Sequence, residues 1–173
     1  MKIPKVLYKN SISDMLDEVK DNYGKLVRRG YIYGLIAIDQ DAKIIAVDKR
    51  IDRDINYFDL SSVGAALYGV ARQGKDFFET QELKRATIIY QDLQLYVKSI
   101  GRVTLAKKGK REVLIVILSD HKVNLGVILL QLQKYGKLIR TEIEKSGTIL
   151  ENLEKSEHEF KVTLRKLKES MNI

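Results

Sequence analysis

The chain has 173 residues with 45 % apolar and 31 % charged side chains, enough for one globular domain and an appendage but not for two full domains. No run approaches eighteen uninterrupted apolar residues, so a membrane span is not expected, and the absence of cysteine rules out disulfides and thiolate metal sites. Met1-Lys2-Ile3-Pro4-Lys5 lacks the apolar run of a signal peptide, which fits a cytoplasmic protein. The formal net charge is +8, but Lys and Arg are interleaved with Asp and Glu, as in Asp48-Lys49-Arg50-Ile51-Asp52-Arg53-Asp54. The one concentrated run, Lys107-Lys108-Gly109-Lys110-Arg111, has no stacking aromatics among its cations, so it reads as solvated surface rather than as a nucleic-acid site.

Helical spacing opens the chain. Ile12, Met15, Leu16, Val19, Tyr23, Leu26 and Val27 form one apolar stripe, which predicts a first helix over Ser11–Arg29. Ser11 with Asp14 resembles a capping box and Gly30 supplies the stop. Two β-branched runs follow, Tyr33–Ile38 and Lys43–Val47, joined by the turn residues Asp39-Gln40-Asp41, and together they predict a hairpin. Both runs are apolar at nearly every position, as in strands covered on both faces.

A second helix is predicted over Tyr57–Glu79, with Leu60, Val63, Leu67, Val70, Ala71, Gly74, Phe77 and Phe78 as its buried stripe. Its outer face would then carry Ser61, Ala65, Tyr68, Arg72 and Asp76. Gly64, Ala65, Ala66 and Gly69 crowd small side chains into its middle, and each glycine costs a helix about 1 kcal/mol against alanine. Close approach by another backbone explains them: the sheet, a twin helix or a partner. Strands are predicted at Thr87–Tyr90, Leu93–Lys98 and Val113–Leu118, the last continuously apolar as in a central strand. Val103–Ala106 fits either a strand extension or a loop. A third helix starts at the N-cap Asn124 and buries Ile128, Leu132, Tyr135, Ile139 and Ile143. After Gly147, Thr148 and Glu151 form a fresh cap, and Leu150, Leu153, Phe160, Leu164, Leu167 and Met171 mark a short heptad helix. That tail fits a helix laid on its own domain, self-association or partner docking.

The expected architecture is α/β in the layered (α+β) sense: a five-stranded antiparallel sheet with helices on both faces, in the order α-β-β-α-β-β-β-α, plus a C-terminal helical extension. Residues 1–10 are set apart as an N-terminal extension, 11–146 as the domain and 147–173 as the tail. The Thr87–Tyr90 strand would leave an open edge, a liability that a second copy could remove.

Three stretches carry a resemblance to a known family. Tyr33–Asp39 leading into Ile44-Ile45-Ala46, the small-residue helix Leu60–Leu67, and Val113–Asp120 followed by Asn124-Leu125-Gly126 resemble the roadblock/dynein-light-chain family over about residues 11 to 145. The resemblance implies the first and third helices on one sheet face and the second on the other. It implies homo- or heterodimers joined through the third strand and second helix, here Gly64, Ala65, Gly69, Ile88, Ile89 and Tyr90. Members of that family regulate or tether Ras-like small GTPases, some as GTPase-activating proteins, or act as light chains on larger assemblies. The implied function is a non-enzymatic scaffold with a small-GTPase partner bound at Ser61, Tyr68, Arg72 and Asp76. A light-chain-like adaptor working through the tail helix is the alternative.

Nothing in the pattern is catalytic. His121 and His158 have no metal-ligand spacing, and neither Gly-x-x-x-x-Gly-Lys-Ser/Thr nor Gly-x-Gly-x-x-Gly occurs, so no cofactor and no metal are expected. Arg72, in the middle of a packed helix, is poorly placed to reach into another active site as an arginine finger.

Overall fold

In the computed structural model the structure describes residues 3–50, 54–105 and 109–146, together with Val162. The elements are α1 (Lys5–Tyr8), α2 (Ser11–Leu26), β1 (Ile32–Asp39), β2 (Ile44–Val47), α3 (Tyr57–Phe77), β3 (Arg85–Ile89), β4 (Leu93–Leu105), β5 (Gly109–Asp120) and α4 (Leu125–Lys145). The strands form one antiparallel sheet in the order β2-β1-β5-β4-β3. The expected alternation of elements is therefore present, with one addition. The segment 1–10 is not wholly an appendage, because α1 tucks the buried Leu7 into the core. The tail 147–173, with its heptad helix and His158, lies outside the described residues apart from Val162.

Asparagine starts all three long helices. Asn10, Asn56 and Asn124 each accept a hydrogen bond from a first-turn backbone N–H, satisfying donors that have no partner within the helix. The cap of α2 is thus Asn10, not the expected Ser11, whose hydroxyl donates instead to Glu142 on α4 at 2.6 Å. Tyr23 ties the two helices again, its hydroxyl donating to the Arg29 carbonyl and accepting from the Asn124 amide.

The central strand β5 feeds two cores by the alternation of its side chains. Ile115 and Ile117 join Leu35, Ala37 and Ile45 beneath α2 and α4. Leu114 and Val116 join Ile36, Ile38, Leu95 and Val97 beneath α3 and α1. The stretch 103–105, which fits strand or loop by sequence, belongs to β4, which runs unbroken to Leu105. Gly101, at φ +110°, absorbs a register shift between Ser99 and Gly101. That φ favours glycine, and the shift is a β-bulge rather than a strand end.

Helix α3 is rotated relative to its expected setting. Its inward residues are Tyr57, Leu60, Ser61, Gly64 and Tyr68, whereas Val63, Val70 and Phe77 face outward and the capping Phe78 is exposed as well. The cause is Gly64. A Cβ there would lie 2.6 Å from Val116 Cγ2, so the helix backbone rests directly on β5. The small residue marks the side of close approach, and the branched residues are turned away.

Asp48 ends the β1–β2 pair with its carboxylate fully buried, accepting from the backbone N–H groups of Leu35 and Arg50, with Lys20 Nζ at 3.9 Å. Burial pushes its pKa up to about 6, partly offset by those N–H groups and Lys20.

Two outcomes follow from this packing. Gly64→Ala is expected to cost about 1–3 kcal/mol by overpacking. Val116→Ala in the same chain should recover part of that loss, and strictly additive effects in urea unfolding would contradict the contact. A folded-state pKa raised above 3.8 means that Asp48 contributes most below that value and loses its contribution as pH rises through about 6. Relative to Asp48→Asn, the parent chain should therefore gain up to about 3 kcal/mol as pH falls across that window, and a pH-independent difference would contradict it.

Candidate functional surface

Two features flank α3. On the side facing β3, apolar residues stand in water. Val63, Val70 and Phe77 recur every seven residues and are 45 %, 70 % and 83 % exposed, while Ile89 and Tyr90 at the end of β3 are 71 % and 52 % exposed. Val63 and Tyr90 share a shallow hollow of about 280 Å³ with Leu93, Leu95 and Leu118. The first residue of the helix stripe and the strand end thus meet at one apolar hollow. β3 pairs only with β4, which leaves its other edge open among the described residues. Isolated exposed apolar residues are ordinary, but several beside an unpaired edge mark an interaction surface.

The opposite flank of α3 is polar. Gln40, Ala65, Tyr68, Gly69, Arg72, Gln73, Lys75 and Asp76 line a cleft of about 450 Å³. Tyr68 is 4 % exposed, its hydroxyl 2.9 Å from Glu112 Oε1 and 3.0 Å from the Leu83 carbonyl. Arg72 Nη1 donates to Glu112 Oε2 at 2.8 Å, and the Glu112 amide donates to the Gln40 side chain. Burial and the hydrogen bond to the Glu112 carboxylate push the Tyr68 phenol up to about 12, so it stays protonated and serves as a donor. Arg72 is correspondingly a fixed charge, held to the domain rather than free to swing.

The sequence-derived residues divide accordingly. Ser61 and Tyr68 are not on the outer face; both are buried, Ser61 donating to the Phe58 carbonyl and Tyr68 reaching across to β5. Gly64 is corrected from intermolecular interface to intramolecular contact, because Val116 of its own sheet occupies the space beside it. Ala65, Gly69, Arg72 and Asp76 come together around the polar cleft, where a Cβ at Gly69 would meet nothing. Ile88 is half-buried and Ile89 and Tyr90 are exposed, so these three lie on the apolar flank instead. Val63, Val70, Phe77 and Phe78 leave the expected core stripe, because their spacing suits an outward stripe equally well. Glu112 gives no local sequence signal, because its partners lie 40 and 44 positions away.

Elsewhere, Arg111 pairs with Asp41, while Lys110 and the turn residue His121 are exposed. Among the described residues no cluster of His, Asp and Glu could hold a metal ion, and no helix is long and apolar enough to cross a membrane.

No protein-family model matches this chain, and no curated protein matches it. Solved structures do. A Roadblock/LC7 domain from Streptomyces avermitilis superposes with a TM-score of 0.59 at 11 % identity, over 76 % of this chain and 96 % of that one. Myxococcus xanthus MglB gives 0.60 at 14 % identity, over 80 % and 98 %. The gliding protein MglB from Thermus thermophilus gives 0.60 at 13 %, over 84 % and 100 %. At such identities the likeness is one of fold, and the fold is that of the roadblock domain.

These placements separate buried from exposed side chains on one helix. Tyr68→Ala should cost about 3–5 kcal/mol in chemical unfolding, as for other buried aromatics, whereas Asp76→Ala should stay within about 0.5 kcal/mol. Similar costs for the two would contradict the burial assigned to Tyr68.

Proposed function

We propose that this chain is a non-enzymatic scaffold that pairs with a second copy of itself through α3 and the β3 edge and binds and regulates a Ras-like small GTPase. The observation that carries the reading is the set of exposed apolar residues Val63, Val70, Phe77, Ile89 and Tyr90 beside a strand whose outer edge is open among the described residues. A twofold axis at that edge would lay β3 against its twin, extend the sheet across both copies and set the two seven-residue stripes face to face. The GTPase part of the reading rests on the family resemblance of the sequence, supported by the roadblock fold.

With the apolar flank covered, the polar flank remains for a partner. Ala65 and Gly69 leave room for another backbone at the cleft, and Arg72 and Asp76 supply charges beside it. Arg72 is braced by Glu112, which suits a positioned interface cation better than an inserted finger.

Light scattering should give twice 19.9 kDa for the parent chain and the single mass for a Val70→Asp, Ile89→Asp double variant. Calorimetry against a panel of small GTPases should detect a complex that depends on the bound nucleotide. Gly69→Trp should weaken that complex by about tenfold or more while leaving the dimer intact. A lone 19.9 kDa particle at high concentration, with no complex in either nucleotide state, would sink the reading.

A further inference from the structure

A second cleft differs in its chemistry from the surfaces above. About 950 Å³ in volume, it opens where β4 runs past the start of β3, roofed by Leu129 and Gln133 of α4. Three features of its floor are hard to explain for a surface adapted to water alone. Arg85 and Lys98 are direct register partners across β3 and β4, and like charges placed opposite each other destabilise a strand pair. The Lys98 ammonium is half-buried and has no carboxylate partner among the described residues, so burial and the Arg85 charge push its pKa down. Two residues along the same face of β4, Tyr96 is 1 % exposed and its hydroxyl has no hydrogen-bond partner among the described residues. Burial pushes the Tyr96 phenol up, with the nearby Arg85 only partly offsetting it, so the hydroxyl stays protonated, and Arg85 makes no hydrogen bond of good geometry to it. A buried hydroxyl left without a partner is costly in an otherwise well-satisfied fold.

The lining carries four cations, Lys75, Lys84, Arg85 and Lys98, against two carboxylates. One of these, Glu112, is already taken by Arg72 and Tyr68, which leaves the exposed Glu82 as the only lining carboxylate without a cation among the described residues. Each anomaly disappears if a multivalent oxyanion sits on the face of the paired strands, against the Arg85 and Lys98 side chains. It would screen the opposed Arg85 and Lys98, and the Tyr96 hydroxyl could donate to it. A carboxylate offers one charge to this set; a phosphate offers up to two and three oxygens in a tetrahedral array, a better match to an ammonium, a guanidinium and a phenol converging. The volume exceeds what a bare phosphate fills and falls in the range of small-molecule sites.

We propose that the cleft floored by Arg85, Tyr96 and Lys98 binds the phosphate group of a small phosphorylated molecule. The site does not rest on the scaffold reading: its floor of Arg85, Tyr96 and Lys98 belongs to β3 and β4, and α3 contributes only Lys75 at its margin.

The test is calorimetric titration of the full chain at constant ionic strength with inorganic phosphate, phenyl phosphate, adenosine monophosphate and, as the carboxylate control, benzoate. Saturable binding of a phosphate compound at one per chain is expected, with benzoate much weaker. Arg85→Gln and Lys98→Gln should each weaken it about tenfold, while Lys134→Gln, which removes an α4 cation outside the cleft, should not. Tyr96→Phe should weaken binding and at the same time raise the melting temperature of the ligand-free chain, because it deletes a buried hydroxyl that nothing satisfies. That pair of opposite signs is one that mere damage to the fold cannot produce. Tighter binding of either ester than of inorganic phosphate supports a larger ligand, and equal affinities support the phosphate group alone as the determinant. Absence of saturation at millimolar concentration, equal binding of benzoate, or equal loss in Lys134→Gln would overturn the proposal. Light scattering of the same samples keeps a failure here distinct from a failure of the dimer.

Discussion

The contact between Gly64 and Val116 sets the character of both faces of α3. A glycine under the helix lets its backbone lie on the central strand, and that closeness fixes the rotation of the helix about its own axis. From the rotation follow the inward turn of Tyr68, its meeting with Glu112 and the bracing of Arg72. The outward turn of Val63, Val70 and Phe77 follows equally. A larger residue at position 64 would lift or turn the helix, and both flanks would change together. The burial of one flank and the exposure of the other are therefore coupled through one missing methyl group.

Much of the fold could be read without coordinates because its signals are local. The continuously apolar Val113–Leu118 run lies in the strand buried on both faces, and Asn124 caps α4 with the expected geometry. The β1–β2 turn closes through Asp39, whose carboxylate accepts from the Asp41 and Lys43 amides. Sequence and structure part where one pattern admits two settings. Asn10 and Ser11 are both good cap residues, and tertiary contact with Glu142 engages the serine elsewhere. Gly101 resembles a strand terminator, but the long hairpin with β5 continues through it. On α3 the apolar stripe and the small-residue stripe lie on different sides, and hydropathy alone favours burying the former. Buried area can be supplied later by a second molecule; close approach to the sheet cannot be, so the glycine prevails.

Charge follows the same logic. The excess of +8 is spread over a surface where many cations have found a carboxylate, as in Lys49 with Asp14, Arg50 with Asp21, Arg72 with Glu112 and Arg111 with Asp41. Such exposed pairs contribute little individually to stability, yet they show where positive potential is cancelled. Among the described residues, four cations lie together beside the start of β3, where Lys98 is drawn partly out of water by the sheet itself. Sequence position gives no hint of this, since the residues come from α3, β3, β4 and the segment between helix and strand.

Beyond Gly101 and Val113 the β4–β5 ribbon outruns β1 as two strands, a form with little stability of its own, and Val103 seats it in the core. Its base is held to α3 by Glu112 and to the β1–β2 turn by Arg111 with Asp41 and by Glu112 with Gln40. Glu112 thus joins the base of the ribbon to α3, so a shift of the ribbon would reach the helix through that carboxylate.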